Sequence, residues 1–264
     1  MRARPLNPFL SALLLLTPLV TAQDPSPAPT PAAATEPTPG KQVEQSLTVG
    51  DAQVPYLCYL PKDYAESDTK VPLLLFLHGR GESNGPLSRV ASWGPAKYLA
   101  AGEQLPYVVL SPQCPKTAWW ADDGQQALLL ALLDHAEKTW RIDRERVVVT
   151  GLSMGGYGTW RLCADHPERF AAAAPICGAG DAAWAPRLVG LPIWAWHGTA
   201  DRAVPFEKSV IMVEAIQKAG GEKVLFTSLE HIGHNSWEAA YRSPDLWRWF
   251  AEQRSPARRW LSRA

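Results

Sequence analysis

Residues 147–156 read Val-Val-Val-Thr-Gly-Leu-Ser-Met-Gly-Gly. A β-branched run ends on Thr150, and the Gly-x-Ser-x-Gly that follows leads into a helix predicted over 155–165. A serine between two glycines where a strand gives way to a helix is the pattern of a tight turn that lifts Oγ above a sheet edge. No Cβ fits on either side of such a turn, and Gly151 and Gly155 meet that demand. The Met154 amide then falls at a helix N-terminus, where it can face an oxygen that is becoming negative.

Outward from this turn, apolar runs and helical patterns alternate. Strands are predicted over 45–49, 54–60, 71–77, 107–111, 147–150, 172–176, 192–196 and 223–229. Helices are predicted over 95–101, 125–140, 155–165, 207–219 and 244–253. The first two strands flank Gly50-Asp51 and read as an edge hairpin. The run at 71–77 (VPLLLFL) is apolar throughout, as expected of a strand covered on both faces. Strands alternating with helices define an α/β class, with a mostly parallel central sheet flanked by helices.

A nucleophilic serine needs a base, and the base needs an acid to orient it. Asp201 lies on the loop after the 192–196 strand, and His234 sits in Gly-His-Asn just past the last strand. Both fall at the carboxyl edge, where open α/β sheets keep their sites. His231 competes with His234, but Gly233 beside His234 suits a closely approaching loop. Asp245 follows His234 and is in the wrong order for the acid. His78 and His197, each ending a strand in a His-Gly pair, read as residues that shape backbone turns. The loop after the 71–77 strand, His-Gly-Arg-Gly-Glu-Ser-Asn, offers the second oxyanion amide at Arg80, with Gly81 next in line. Trp119, Trp120 and Trp237 lie on loops at the same edge and are expected to line a substrate pocket, as Trp184 could. Each of them reads equally as a packing residue.

The N-terminus resembles an address. Arg2 and Arg4 precede an apolar run over 9–20, with Val20 and Ala22 at the −3 and −1 positions of a cleavage site. The run is too short to span a bilayer and Pro18 interrupts it, so stable membrane insertion is not expected. This predicts a signal peptide over 1–22 and export to the periplasm or beyond. Residues 23–40, rich in Pro, Ala and Thr, read as an extended linker, leaving 41–264 as the catalytic domain. The charge balance, 26 basic against 26 acidic residues, offers no footprint for nucleic acid. No Cys-x-x-Cys and no helical His-x-x-x-His occurs, so no metal site is expected. The four cysteines, at 58, 114, 163 and 177, can pair in three ways or remain buried thiols. A 163–177 bridge is disfavoured, because those residues are expected at opposite ends of the sheet.

The blocks LLLFLHGRGES, SPQCPKTAWW, RVVVTGLSMGGYGTW, AAAAPICGAGD, PIWAWHGTADRAVP and GHNSWEAAY resemble, in order, the secreted bacterial esterases of the α/β-hydrolase superfamily. That group includes phospholipase/carboxylesterase-like proteins, also labelled predicted peptidases, and is similar to feruloyl esterases and polyhydroxyalkanoate depolymerases. The resemblance covers about residues 54–253. It implies a serine carboxylic-ester hydrolase without a cofactor, acting on a small-molecule or polymer-linked ester. Ser153 would be nucleophile, Asp201 acid, His234 base, and Met154 and Arg80 the oxyanion amides. Ser83-Asn84 stands where many relatives have Arg-Gly, and Asn235 where they often have Asp. Two alternatives are a serine peptidase of the prolyl-oligopeptidase type and a non-catalytic binder on the same scaffold. The first usually carries a gating domain, for which residues 41–72 are too few. The second has no need of an intact Ser, Asp and His.

Overall fold

The computed structural model describes residues 37–255, so the predicted leader, most of the linker and residues 256–264 lie outside the described residues. Eight strands form one sheet: β1 Gln42–Val49, β2 Ala52–Tyr59, β3 Val71–Leu77, β4 Val108–Pro112, β5 Ile142–Leu152, β6 Ala172–Ile176, β7 Ile193–Gly198 and β8 Val224–Leu229. The helices are α1 Gly94–Ala100, α2 Asp123–Thr139, α3 Met154–Asp165, α4 Ala185–Leu188, α5 Glu207–Lys218, α6 Trp237–Arg242 and α7 Pro244–Glu252. The strand order is β1-β2-β4-β3-β5-β6-β7-β8. The hairpin β1/β2 and the β2/β4 pair are antiparallel; every pair from β4 to β8 is parallel.

Alternation along β3 shows how the sheet is covered. Leu73, Leu75 and Leu77 enter one apolar cluster with residues of α2, α3 and α5. Leu74 and Phe76 enter the other, with residues of α1, α6 and α7. Successive side chains of a strand point to opposite faces, so a continuous apolar run is what a doubly covered strand requires. From β3 the chain passes to β4 on one side and then to β5 on the other. The direction of strand order reverses there, and a crevice opens above the carboxyl ends of β3 and β5.

Close packing beneath the serine turn dictates its glycines. A Cβ on Gly155 would lie 1.9 Å from the Leu77 carbonyl oxygen, and one on Gly151 would lie 2.4 Å from that of Gly155. Both obstacles are backbone, which cannot move aside cheaply. Gly155→Ala should therefore destabilise the protein by more than about 4 kcal/mol, read as loss of soluble protein or of cooperative melting. A wild-type melting curve would mean that α3 packs less tightly on β3 than described.

Two elements went unread in the sequence, α4 and α6. Each is at most six residues long, too short for apolar periodicity to show. β5 also begins at Ile142, well before the β-branched run, through charged residues at the sheet's lower end.

Candidate active site

Ser153 stands between β5 and α3 with φ 53° and ψ −116°, in the positive-φ region that L residues rarely occupy. The conformation persists because neighbours over-determine it. The Ser153 N–H donates to the Ile176 carbonyl on β6, and its carbonyl accepts from the Tyr157 N–H in α3. Ser153 Oγ lies 2.9 Å from His234 Nε2, and His234 Nδ1 lies 2.7 Å from Asp201 Oδ2. Three residues separated by 48 and 33 positions are thus joined by one chain of hydrogen bonds. His231, the competing histidine, is exposed on its loop with φ 60°.

Asp201 has no exposed side-chain surface. Its Oδ1 accepts from the Ala203 and Val204 amides at 2.8 and 2.9 Å. Burial pushes the carboxyl upward, but the hydrogen bond from His234 and these two amides outweigh it and hold the group below its usual range. An ionised acid accepting at Oδ2 obliges His234 Nδ1 to carry a proton, which leaves Nε2 as an acceptor facing Ser153.

A cavity of about 250 Å³ opens beside Ser153, lined by Gly79, Arg80, Glu82, Trp93, Trp237 and His234 among others. Trp93 and Trp237 form one wall, their rings 5.8 Å apart, and Trp237 meets the His234 ring edge-on. The Arg80 guanidinium turns away from the cavity and ties its loop to the next one, donating to the carbonyls of Lys116 and Ala118. Glu82 is buried at the cavity's edge. Burial raises its pKa, opposed by the Gly79 and Glu82 amides, by Arg89 and by the Trp93 side chain. Met154 occupies the first position of α3, with its side chain buried against Arg80.

Several expectations change here. Trp120 is not a substrate contact: it is 1% exposed, and its indole N–H donates to the His78 carbonyl beneath the loop after β3. Trp119 is exposed but does not line the cavity; it lies under Arg80 and meets Tyr157 edge-on. Trp184 packs against Arg161 and the core. His197, expected to shape a turn, is instead a buried side chain with a ring nitrogen 3.1 Å from Asp201 Oδ2. Trp93 and Glu82 went unread, because an isolated Trp and a loop Glu carry no periodicity. The four thiols are buried and unpaired. Cys177, Asp201 and His234 place one sulfur, one oxygen and one nitrogen within 4.8 Å of one another, all at the serine site.

His78 sets a pH limit on stability. Its Nδ1 donates to the Gly79 carbonyl and its Nε2 accepts from the Cys114 amide, a pattern that only the neutral ring satisfies. Burial pushes its pKa down to about 4 from the ordinary 6.5, with the Gly79 hydrogen bond opposing. Between those values the unfolded chain binds the extra proton, so stability falls as pH drops through this window, by about 3 kcal/mol. His197, also held low by burial, acts in the same direction. Urea midpoints measured from pH 7.5 to 4 should show this decline. A flat profile down to pH 4.5 would mean that neither ring is held neutral.

A parallel-sheet hydrolase fold with a Ser-His-Asp arrangement at the strand ends defines the class as α/β-hydrolase. The family model described as "Putative esterase" matches residues 51–212, more than half of the chain, and the protein belongs to that esterase family. The chain is 32% identical over 145 residues to "Putative esterase NocK" of Nocardia uniformis subsp. tsuyamanensis, covering 52% of this chain and 42% of that protein. It is 27% identical over 153 residues to the bifunctional acetylxylan esterase/xylanase XynS20E of Neocallimastix patriciarum, covering 57% and 22%. The alignments thus span less than half the length of these curated relatives. A solved thermostable esterase superposes with a TM-score of 0.70 at 32% identity, over 81% of this chain and 63% of that one.

Proposed function

We propose that this protein is an exported serine carboxylic-ester hydrolase working through an acyl-enzyme. The observation that carries the reading is the hydrogen-bonded line from Ser153 Oγ through His234 to Asp201, beside a cavity wide enough for a small or flat acyl group. Ser153 attacks the ester carbonyl and His234 Nε2 takes its proton. The Met154 and Arg80 amides receive the oxyanion. His234 then returns the proton to the departing alcohol, and water, deprotonated by the same imidazole, releases the acid. Asp201 holds the imidazole tautomer and favours its charged form. No cofactor takes part. The basic, apolar and small-residue pattern over 1–22 supports export. The names of the relatives, one of them an acetylxylan esterase, support an ester that is small or attached to a polymer. Trp93 and Trp237 offer a flat apolar face to its acyl or alcohol part.

The test is a panel of p-nitrophenyl acetate, butyrate and octanoate, a feruloyl ester and a peptide p-nitroanilide, alongside fluorophosphonate labelling. Ester cleavage that exceeds amide cleavage, with labelling at Ser153, is expected. Amide cleavage equal to ester cleavage would favour a peptidase. No turnover and no labelling would favour a binding protein.

A further inference from the structure

His197 is the last residue but one of β7 and has no exposed surface. Its Nε2 lies 3.1 Å from Asp201 Oδ2 and 3.0 Å from the Val204 carbonyl oxygen. An ionised carboxylate and a carbonyl can only accept, so Nε2 must carry a proton. Nδ1 lies 2.7 Å from Ser209 Oγ on α5 and, when the ring is neutral, accepts from that hydroxyl, which divides its one proton between Nδ1 and the Gly178 carbonyl 3.2 Å away. Phe206 meets the imidazole edge-on at 5.8 Å and completes its seat. The tautomer is therefore set by Asp201 and Val204, while the ring's orientation is held from the α5 side, away from the cavity.

We propose that His197 is a positioning residue for the Asp201 carboxylate, donating to the same oxygen that receives the His234 Nδ1–H. The inference rests on the triad reading above. With His197 in place Oδ1 of Asp201 accepts from the Ala203 and Val204 amides, and Oδ2 accepts from His234 and shares the His197 N–H with the Val204 carbonyl. The carboxylate cannot rotate without giving up several of these bonds. A neutral donor on Oδ2 also draws charge from it, which moderates how strongly Asp201 holds a proton on His234. The other titratable groups facing Asp201 are Tyr157 on α3 and Cys177 at the end of β6.

The test compares His197→Ala, His197→Phe and His197→Gln in the purified full chain. His197→Ala should lower kcat roughly 10- to 100-fold, the size of loss seen when an outer partner orienting a site residue is removed. KM should stay within about twofold, since His197 does not reach the cavity. The acidic limb of the kcat profile should move to higher pH, because Oδ2 then gives His234 more of its charge. His197→Phe keeps the ring's volume against Phe206 and carries the same test if the alanine variant does not fold. His197→Gln, whose amide can donate to Asp201 and accept from Ser209, should recover most of both effects. An unmoved acidic limb in the alanine or phenylalanine variant, or glutamine no better than those, would reduce His197 to packing. A readout without turnover separates this idea from the esterase reading. In a Ser153→Ala background, the low-field proton resonance of the His234–Asp201 hydrogen bond should shift downfield when His197 is removed. A stationary resonance would overturn the positioning role whether or not the protein cleaves esters.

Discussion

Ser153→Ala should lower kcat on p-nitrophenyl butyrate by at least about 10⁴-fold, while the melting temperature should stay within about 3 °C of the parent. In the proposed mechanism the hydroxyl is the atom that bonds to substrate, and nothing else on the turn replaces it. The small thermal effect follows from position. Ser153 is partly exposed, and the one hydrogen bond of its hydroxyl is to His234, which keeps some contact with water. The strained backbone offers a second check on the same residue. Ser153→Gly should be equally inactive yet more stable than the alanine variant by about 1 kcal/mol, since glycine adopts φ 53° without a Cβ penalty. Turnover by Ser153→Ala within tenfold of the parent would remove the serine from the mechanism. A glycine variant no more stable than alanine would mean that the turn holds no strain.

Asp201→Asn is the second large effect, about 10⁴-fold in kcat at neutral pH. The amides of Ala203 and Val204 donate to Oδ1, so the asparagine carbonyl is drawn to that side. Its NH2 then occupies the Oδ2 position, facing His234 Nδ1 and the proton on His197 Nε2. His234 must now accept at Nδ1 and carry its proton on Nε2, pointing at Ser153 as a donor when a base is required. The geometry survives and the tautomer is wrong. Measured kcat/KM should recover partly at high pH, where hydroxide replaces the missing base. A variant within tenfold of the parent at pH 7 would mean that Asp201 does not set the tautomer. At low pH the parent's Asp201 matters for folding as well. Its carboxyl is held below the ordinary 3.8, so the stability it contributes is present at neutral pH and is lost as pH falls through its folded value.

Much of the fold was legible because its signals are local. The apolar run of β3, the β-branched start of the serine turn and the two glycines around Ser153 are each written in a few adjacent residues, although what they pack against, such as the Leu77 carbonyl beneath Gly155, is distant in the chain. Asp201 and His234 were legible by order and by their place after strands, although neither lies near Ser153 in the chain. Trp120 was misread for the opposite reason. A Trp-Trp pair on an edge loop looks the same whether its rings face a cavity or the core, and Trp120 turns inward to cap the His78 carbonyl while Trp119 stays outside. Trp93 and Glu82 reach the cavity only because the loop after β3 folds back over the carboxyl end of the sheet.

The sequence alone determined the class of sheet, the serine turn and the identity of the three residues that meet above it. Covalent geometry and side-chain period leave little choice in such matters: a strand covered on both faces must be apolar throughout, and a turn without room for Cβ must be glycine. What only the tertiary structure decided was which side chains meet around the site. His197, a strand-end residue by sequence, became a donor to Asp201 because α5 brings Ser209 to its other nitrogen and the loop after β7 turns the carboxylate back toward it. Which indole lines the cavity and which supports its floor was settled in the same way. Such assignments depend on how a loop turns and on what packs against it, and the residue pattern alone does not encode them.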